Sequence, residues 1–451
     1  MDKQGELVYG EQVSHLNIVE GEIHDLKSVN LGEIAIGAKV EETFLNFCTR
    51  NLEEPEREGK LPMEYSHLTL KEINNILDNL DANDEPMPDS VNDPKELERA
   101  RLREAAQMII KGRERTAIIG SVEDVKNPLG EIADATLIFV ADDHEAPSWA
   151  KEGTRAQAFK RYAAERILTG LKTRENLESH YVDRTNSRFL FDRWITRLIT
   201  AEQFREDKSD ESIPIVFHLG DRVHDGAFLL DQLAVESKYY QMMEEVVAKN
   251  PSLNPKILEI DGNHDRDSRI PESTAMLTKL FGHRVFAQEI GGVLMAAVDT
   301  NIENPAWVKL FMGRADSEGK KVIEEKIRLQ HAIIEMVKNY NGPVVLTGHH
   351  PSRLIDAFGV KKDLLQTSNI VAIVGGHTHR EDHILTPIKN KNGRSIVLHV
   401  LESITRQKDG KLIPPKAFAL RINKGRVGQM RTLRQNQKDF DRRFEELMMQ
   451  F

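Results

Sequence analysis

Five short segments of this chain place carboxylates, histidines and an amide directly after apolar runs. In chain order they read DDH at 142–144, GD at 220–221, GNHD at 262–265, GHH at 348–350 and GHTH at 376–379. Carboxylate, imidazole and amide groups suit hard or borderline divalent metal ions. Chance readily gives one such cluster, but five in succession predict a metal-dependent site.

The elements that must position these residues follow from the sequence between them. Short apolar runs bounded by Gly and Asp are typical of strands buried on both faces. Helical stretches alternate with the runs, as at 317–339, and fit crossover connections, so the pattern predicts an α/β fold. Because ligands of an open α/β sheet bind outside the carboxyl ends of its strands, we expect the five clusters to gather at one edge.

Taken in order, the five segments resemble the motifs of the calcineurin-like metallophosphoesterases. The resemblance covers roughly 135–433 and implies the metallophosphoesterase fold, with two packed β-sheets flanked by helices. It implies two divalent ions (Mn, Fe, Zn or Ni, with Mn slightly favoured) and a phosphate-ester substrate. The implied activity is phosphoester hydrolysis by a hydroxide that the two ions generate from water.

The resemblance also implies seven metal ligands, in two sets that share one carboxylate. One set is Asp142, His144 and His379. The other set is Asn263, His349 and His377. Asp221 would bridge both ions, because a carboxylate has two oxygens.

Two further residues receive catalytic roles from the resemblance. His264 would contact the phosphate and protonate the leaving oxygen, with Asp265 orienting its imidazole. The family pattern favours His349 over its neighbour His350 as a ligand, while the residues alone leave that pair open. Four arginines flank the motifs and have the geometry to contact phosphate: Arg222, Arg266, Arg353 and Arg380.

The type of phosphate ester is less sharply defined by the motifs. The GHHPS form at 348–352 is similar to the one seen in phosphodiesterases, which favours a diesterase. Protein phosphatases of the superfamily carry GDxVDRG, whereas this chain has GDRVHDG at 220–226 and lacks that arginine. A phosphomonoesterase or a nuclease stays an alternative. A non-catalytic binding module is disfavoured, because every position of the pattern is filled.

Length and charge indicate the organisation of the chain. Its 451 residues suggest more than one domain. Residues 1–136 carry a net charge of −14, whereas the whole chain carries −10. We predict an acidic N-terminal accessory region at 1–134, a metallophosphoesterase domain at 135–433 with a helical insertion at 145–212, and a C-terminal helix at 434–451. The accessory region and the insertion are candidate surfaces for protein partners.

Composition limits the classes of partner and the cellular location. Cys48 is the single cysteine, which excludes an intrachain disulfide and thiolate-rich metal sites. No apolar run is long enough to cross a membrane, and the first residues lack a secretory signal. We therefore expect a cytoplasmic protein, with signal-independent export left open. The acidic balance does not indicate nucleic-acid binding, although residues 403–451 have a net charge of +7.

The insertion generates the first testable prediction. Because it follows His144 directly, we predict that it forms a lid or wall over the site; the alternative is a helical hairpin packed to one side. Deletion of residues 150–208 should then change the relative rates on different phosphate esters and leave the bound metal unchanged. Turnover assays and metal analysis measure both, and unaltered rates on every ester would favour the hairpin.

Overall fold

The computed structural model describes residues 16–18, 21–25, 68, 70–80, 93–142, 212–223, 229–249, 251–266, 271–303, 305–355, 360–378, 382–401, 407–408, 411–412, 416–435 and 442. The 145–212 insertion lies outside this part of the chain except for Ser212. The C-terminal helix predicted at 434–451 also lies almost wholly outside it.

The strands of the described residues form two large sheets and a short hairpin. The first sheet has the spatial order β1 (Leu16–Ile18), β2 (Gly21–Asp25), β15 (Arg426–Gln435), β14 (Lys416–Asn423), β3 (Asp134–Val140), β4 (Ile213–His218) and β5 (Lys256–Glu259). The second has the order β10 (Asp382–Lys389), β11 (Ser395–Val400), β9 (Ile370–Gly375), β8 (Val344–Thr347), β7 (Val293–Ala297) and β6 (Phe286–Ile290). The hairpin pairs β12 (Gln407–Lys408) with β13 (Lys411–Leu412).

Each sheet contains a run of parallel strands, at one end of the first sheet and in the centre of the second, and the strands that carry the motifs lie in these runs. β3, β4 and β5 are parallel neighbours in the first sheet. β7, β8, β9 and β11 are parallel neighbours in the second. The outer pairs β6–β7 and β10–β11 are antiparallel, as are the pairs that join β14 to β3 and to β15.

Helices cover the sheets and connect their strands. Those in the described residues are α1 (Leu70–Asp78), α2 (Pro94–Lys111), α3 (Leu229–Lys249), α4 (Pro271–Phe281), α5 (Pro305–Arg314), α6 (Ser317–Asn339), α7 (Pro351–Ile355) and α8 (Val360–Thr367). α6 has the predicted bounds and begins where the Asp316 carboxylate accepts the Gly319 amide at 2.7 Å. None of these helices combines the length and apolar composition needed to cross a membrane.

The core lies between the two sheets. Phe217 of β4 contacts Phe139 of β3, with ring centroids 5.4 Å apart, and reaches Phe286 of the second sheet at 5.7 Å. Buried residues of β7, β8 and β9 join the same cluster. The fold class is confirmed as two packed sheets flanked by helices. The expectation of a single sheet edge was wrong, because the motifs divide between the two layers.

The described parts of the accessory region pack against the domain. Leu102 and Ile109 of α2 share a buried cluster with Leu233 of α3 and Leu277 of α4. β2 extends the first sheet by pairing with β15. The contacts of α2 enlarge the buried apolar core, and β2 adds a strand to the sheet. The domain boundary between residues 134 and 135 stays a prediction.

The α2–α3 contact gives the second prediction. A Cβ at Gly112, which caps the end of α2, would lie 1.9 Å from a ring carbon of Tyr240. Gly112→Ala should lower the free energy of unfolding by about 1–3 kcal/mol through overpacking, measured by chemical denaturation. The control is Gly313→Ala in α5, where a Cβ has open space; it should leave stability unchanged or raise it by up to about 1 kcal/mol. Equal effects would contradict the packing argument.

Candidate metal centre

Residues from the carboxyl ends of both sheets form the site. Asp142 follows β3, and Asp221 follows β4 in the first sheet. Asn263 lies in the loop after β5. From the second sheet, His349 follows β8 and His377 follows β9. The loops after these strands therefore meet where the two layers adjoin.

Three buried side chains bring potential ligand atoms together. Asp142, Asp221 and His349 each offer one ligand atom, and these atoms lie within 4.8 Å of one another. A second, overlapping group consists of His349, His350 and His377. Two buried carboxylates so close together repel each other unless positive charge lies near both. This donor set fits a divalent cation held by oxygen and nitrogen.

The hydrogen bonds of His349 show which of its ring nitrogens faces this group. Nδ1 lies 2.8 Å from the carbonyl oxygen of Leu219, which only accepts, so Nδ1 carries a proton. Nε2 lies 3.0 Å from Oδ2 of Asp221 and 3.1 Å from Oδ1 of Asn263. A ring oriented by a carbonyl at Nδ1 presents Nε2 to a metal ion. The geometry therefore favours His349 as the ligand.

The charges of Asp221 and His349 stabilise each other. Burial raises the pKa of the Asp221 carboxyl, but the charges of His349 and His264 outweigh burial and hold it well below its usual range. Burial lowers the pKa of His349, yet Asp221 and then Asp142 raise it to about 9. Without a cation, a proton on Nε2 thus lies between these oxygens. Metal binding at this nitrogen must displace that proton.

Three of the candidate ligands adopt a backbone conformation that is unusual for their residue type. The φ angles of Asp142, Asp221 and His377 are 58°, 57° and 71°. The backbone amide of His377 compensates by donating to both carboxylate oxygens of Asp142, at 3.0 and 2.9 Å. Left-handed residues other than glycine are strained and are concentrated at functional sites. The hydrogen bond also joins the first sheet to the second.

Glycine is needed at two positions beside these carboxylates, because the backbone there lies too close to a carboxylate oxygen to leave room for a Cβ. A Cβ at Gly262 would lie 2.0 Å from Oδ1 of Asp221. A Cβ at Gly376 would lie 2.5 Å from Oδ2 of Asp142. Any larger residue at either position would push a carboxylate out of place.

The carboxylate of Asp265 accepts four backbone amides. Its Oδ2 accepts the amides of Asp221 at 2.7 Å and Gly262 at 2.8 Å. Its Oδ1 accepts the amides of Arg222 at 2.9 Å and Val223 at 3.4 Å. The carboxylate thus clamps the loops after β4 and β5 together. The orientation of the His264 imidazole by Asp265 stays a prediction.

His264 is anchored through its backbone. Its amide donates to Oδ1 of Asp221 at 2.8 Å, and the residue is half-buried. Its positive form also contributes to the low pKa of Asp221. This position leaves the side chain partly open beside the candidate ligands.

Two of the flanking arginines are buried in ion pairs with carboxylates of the chain. Arg222 pairs with Glu236 at 3.0 Å and with Glu259 at 2.9 Å. Arg266 pairs with Asp261 at 3.0 Å. The pairs of Arg222 were not predicted, because its acidic partners lie on α3 and β5 and are distant from it along the chain. Because both guanidinium groups are held by carboxylates of the chain, the predicted phosphate contact gains no support from these two arginines.

The loop after β7 joins the two layers and was missed by the sequence reasoning. Nδ2 of Asn301 donates to the carbonyl oxygen of Gly262 at 3.0 Å. Oγ1 of Thr300 lies 2.8 Å from Nδ1 of His350. Asp299 pairs with Lys326 at 2.7 Å. The available signal was the polar DTN sequence after an apolar run, which matches the pattern of the motif segments.

Two predicted ligands, His144 and His379, lie outside the described residues. Of the other predicted site residues, the structure brings together the side chains or backbone of Asp142, Asp221, Asn263, His264, Asp265, His349 and His377. His350 lies beside them, with its ring centroid 4.0 Å from that of His377.

Comparison with known proteins identifies a phosphoesterase family that is similar to this chain. Residues 186–381 match the family model described as calcineurin-like phosphoesterase. The match includes four of the five motif segments, and Asp142 precedes it. The structure nevertheless places Asp142 within 4.8 Å of ligand atoms from Asp221 and His349, so the site extends beyond the matched residues. No curated protein matches the chain.

The Asp265 clamp gives the third prediction. Asp265→Asn replaces one accepting oxygen with a donor that faces backbone amides, and should lower the free energy of unfolding by about 2–4 kcal/mol. Chemical denaturation measures this, and metal affinity should fall as the Asp221 loop loosens. Asp316→Asn is the control, because Asn caps a helix as well as Asp does. A loss no larger than that of the control would contradict the clamp.

Proposed function

Because this chain carries a calcineurin-like phosphoesterase domain, whose activity is metal-dependent hydrolysis of phosphate esters, we propose that it cleaves phosphate diesters. The convergence of ligand atoms from Asp142, Asp221 and His349 within 4.8 Å carries the proposal. The GHHPS form at 348–352 favours a diester over a monoester. The lack of the protein-phosphatase arginine in the segment at 220–226 favours the same choice.

We propose a pair of divalent ions at this site. Asp221 lies at the centre, with one oxygen toward His349 and a ligand atom of Asp142 also within 4.8 Å. Asn263 and His377 complete the described part of the proposed ligand set. The chemistry that bound divalent cations supply is Lewis acidity toward the phosphate and toward the attacking water. Mn, Fe, Zn and Ni all suit these ligands.

Three residues of the chain have distinct roles in this proposal: one keeps its negative charge, one donates a proton and one positions the loops. Asp221 stays ionised, because the positive charge of its neighbours stabilises its carboxylate. His264 is the proposed acid that protonates the leaving oxygen, since it is half-buried and its backbone is fixed to Asp221. Asp265 contributes indirectly, by fixing the loop amides on either side of Asp221 and so the geometry of attack.

The fourth prediction tests this function. Chelator-stripped protein should regain hydrolysis of bis-p-nitrophenyl phosphate when Mn²⁺, Fe²⁺, Zn²⁺ or Ni²⁺ is added, at a higher kcat/KM than for p-nitrophenyl phosphate. Asp221→Ala should lower kcat/KM by about a thousandfold or more. It removes a carboxylate that is proposed to bind both cations, and bound cations stabilise the transition state by several kcal/mol. Absorbance of released nitrophenolate measures both rates.

Matched controls and outcomes separate the alternatives. Asp124→Ala removes an exposed carboxylate of a surface turn and should leave the rates unchanged. Preference for the monoester would identify a phosphomonoesterase. Cleavage of DNA or RNA alone would identify a nuclease. Two bound metals without turnover of any phosphate ester would overturn the enzymatic proposal in favour of a binding module.

A further inference from the structure

We propose that His350 donates a hydrogen bond from Nε2 to a phosphate oxygen of the substrate, and that Thr300 is the positioning residue that fixes its imidazole for this contact. The inference rests on the proposed function, because it concerns the same substrate. It assigns the two adjacent histidines of the GHH segment to different tasks: His349 binds metal, and His350 binds substrate.

The contact between Thr300 and His350 has two parts. The backbone amide of His350 donates to Oγ1 of Thr300 at 3.1 Å. The same Oγ1 lies 2.8 Å from Nδ1 of His350. Both residues are buried, so water does not compete for these groups. One hydroxyl therefore fixes both the backbone and the ring of His350.

A proton count determines the tautomer of the ring. Since the amide of His350 occupies one lone pair of Oγ1, the hydroxyl proton of Thr300 remains to be placed. Within the part of the chain that the structure describes, Nδ1 of His350 is the acceptor in contact with this hydroxyl. Donation to Nδ1 satisfies the buried proton. The ring proton of neutral His350 then lies on Nε2, which becomes a donor and has no lone pair for a metal ion.

His349 has the opposite arrangement. Its Nδ1 carries the proton and donates to the carbonyl of Leu219, which leaves Nε2 to the oxygens of Asp221 and Asn263. The two neighbouring rings are therefore oriented by different partners, a carbonyl and a hydroxyl. A carbonyl at Nδ1 makes His349 a ligand, and a hydroxyl at Nδ1 makes His350 a donor.

The position of His350 suits contact with a phosphate. Its ring centroid lies 4.0 Å from that of His377 and 4.8 Å from that of His349. Ligand atoms of these three histidines lie within 4.8 Å of one another. A donor this close to the proposed ligands would reach an oxygen of a phosphate bound between them. Such hydrogen bonds to anionic oxygens are stronger than neutral ones.

Thr300 is itself held in place. Its carbonyl accepts a hydrogen bond from Arg353 at 3.1 Å. The adjacent Asn301 amide donates to Asp299 at 2.8 Å, and the Asn301 side chain donates to the Gly262 carbonyl at 3.0 Å. A side chain whose loop is fixed on both sides is suited to orient a neighbour.

The experiment compares four variants of the full chain loaded with Zn²⁺. Thr300→Val keeps the shape and loses the hydroxyl, whereas Thr300→Ser keeps the hydroxyl. His350→Leu loses the donor, whereas His350→Gln keeps an amide donor. Measured for each are bound zinc per chain, the inhibition constant of inorganic phosphate, kcat and KM for the diester, and the circular dichroism spectrum. Nitrogen-15 NMR of histidine-labelled wild type reads the tautomer directly.

We expect bound zinc to stay unchanged in all four variants. His350→Leu should lower kcat/KM about 100-fold, and Thr300→Val should lower it about tenfold with weaker phosphate inhibition. Thr300→Ser and His350→Gln should restore most of each loss. The NMR spectrum should show His350 protonated at Nε2.

Three results would overturn the proposal: loss of a zinc ion in His350→Leu, protonation of His350 at Nδ1 in the wild type, or unchanged phosphate inhibition in Thr300→Val. Failure of the proposed function is distinct, because wild type would then hydrolyse no phosphate ester. The tautomer, the zinc count and binding of inorganic phosphate, measured by calorimetry, decide the role of His350 in that case as well.

Discussion

The carboxylate of Asp265 is the constraint on which the geometry of the site depends. It accepts backbone amides from the loops after β4 and β5 and so fixes the separation of these loops. Convergent amides also stabilise its buried charge. With its backbone held, Asp221 keeps a strained φ of 57° and directs its two oxygens to different partners, the His264 amide and the His349 ring.

Buried charged side chains near Asp265 form ion pairs with partners from several elements. Lys326 of α6 pairs with Asp261 at 2.9 Å and with Asp299 at 2.7 Å, and these two carboxylates follow strands of different sheets. Arg284 lies 3.0 Å from Glu236 and 3.2 Å from Asp261. Removing one member would leave a buried charge uncompensated, which costs more than the pair contributes. The network therefore links residues that follow strands of both sheets.

Sequence patterns predicted the features that are local. Strands buried on both faces appear as continuous apolar runs, and α6 is marked by Asp316 and by its helical periodicity. The division of the motifs between two sheets depends on strand pairing over long separations, which periodicity does not encode. The burial of Arg222 was not predicted, because charged residues are seldom buried and its partner Glu236 lies on a different element. The partners of Asp265 are backbone amides, which no residue pattern reveals.

The residues of the candidate site connect the two sheets of the fold through hydrogen bonds. Asp142 of the first sheet accepts the backbone amide of His377 from the second, and Asn301 of the second sheet donates to Gly262 of the first. His349 crosses the same boundary to reach Asp221. Because the proposed ligands come from both layers, an ion bound there must hold the layers together. The free energy of binding then adds to that of folding, so one set of cross-layer contacts serves both the chemistry and the stability of the domain.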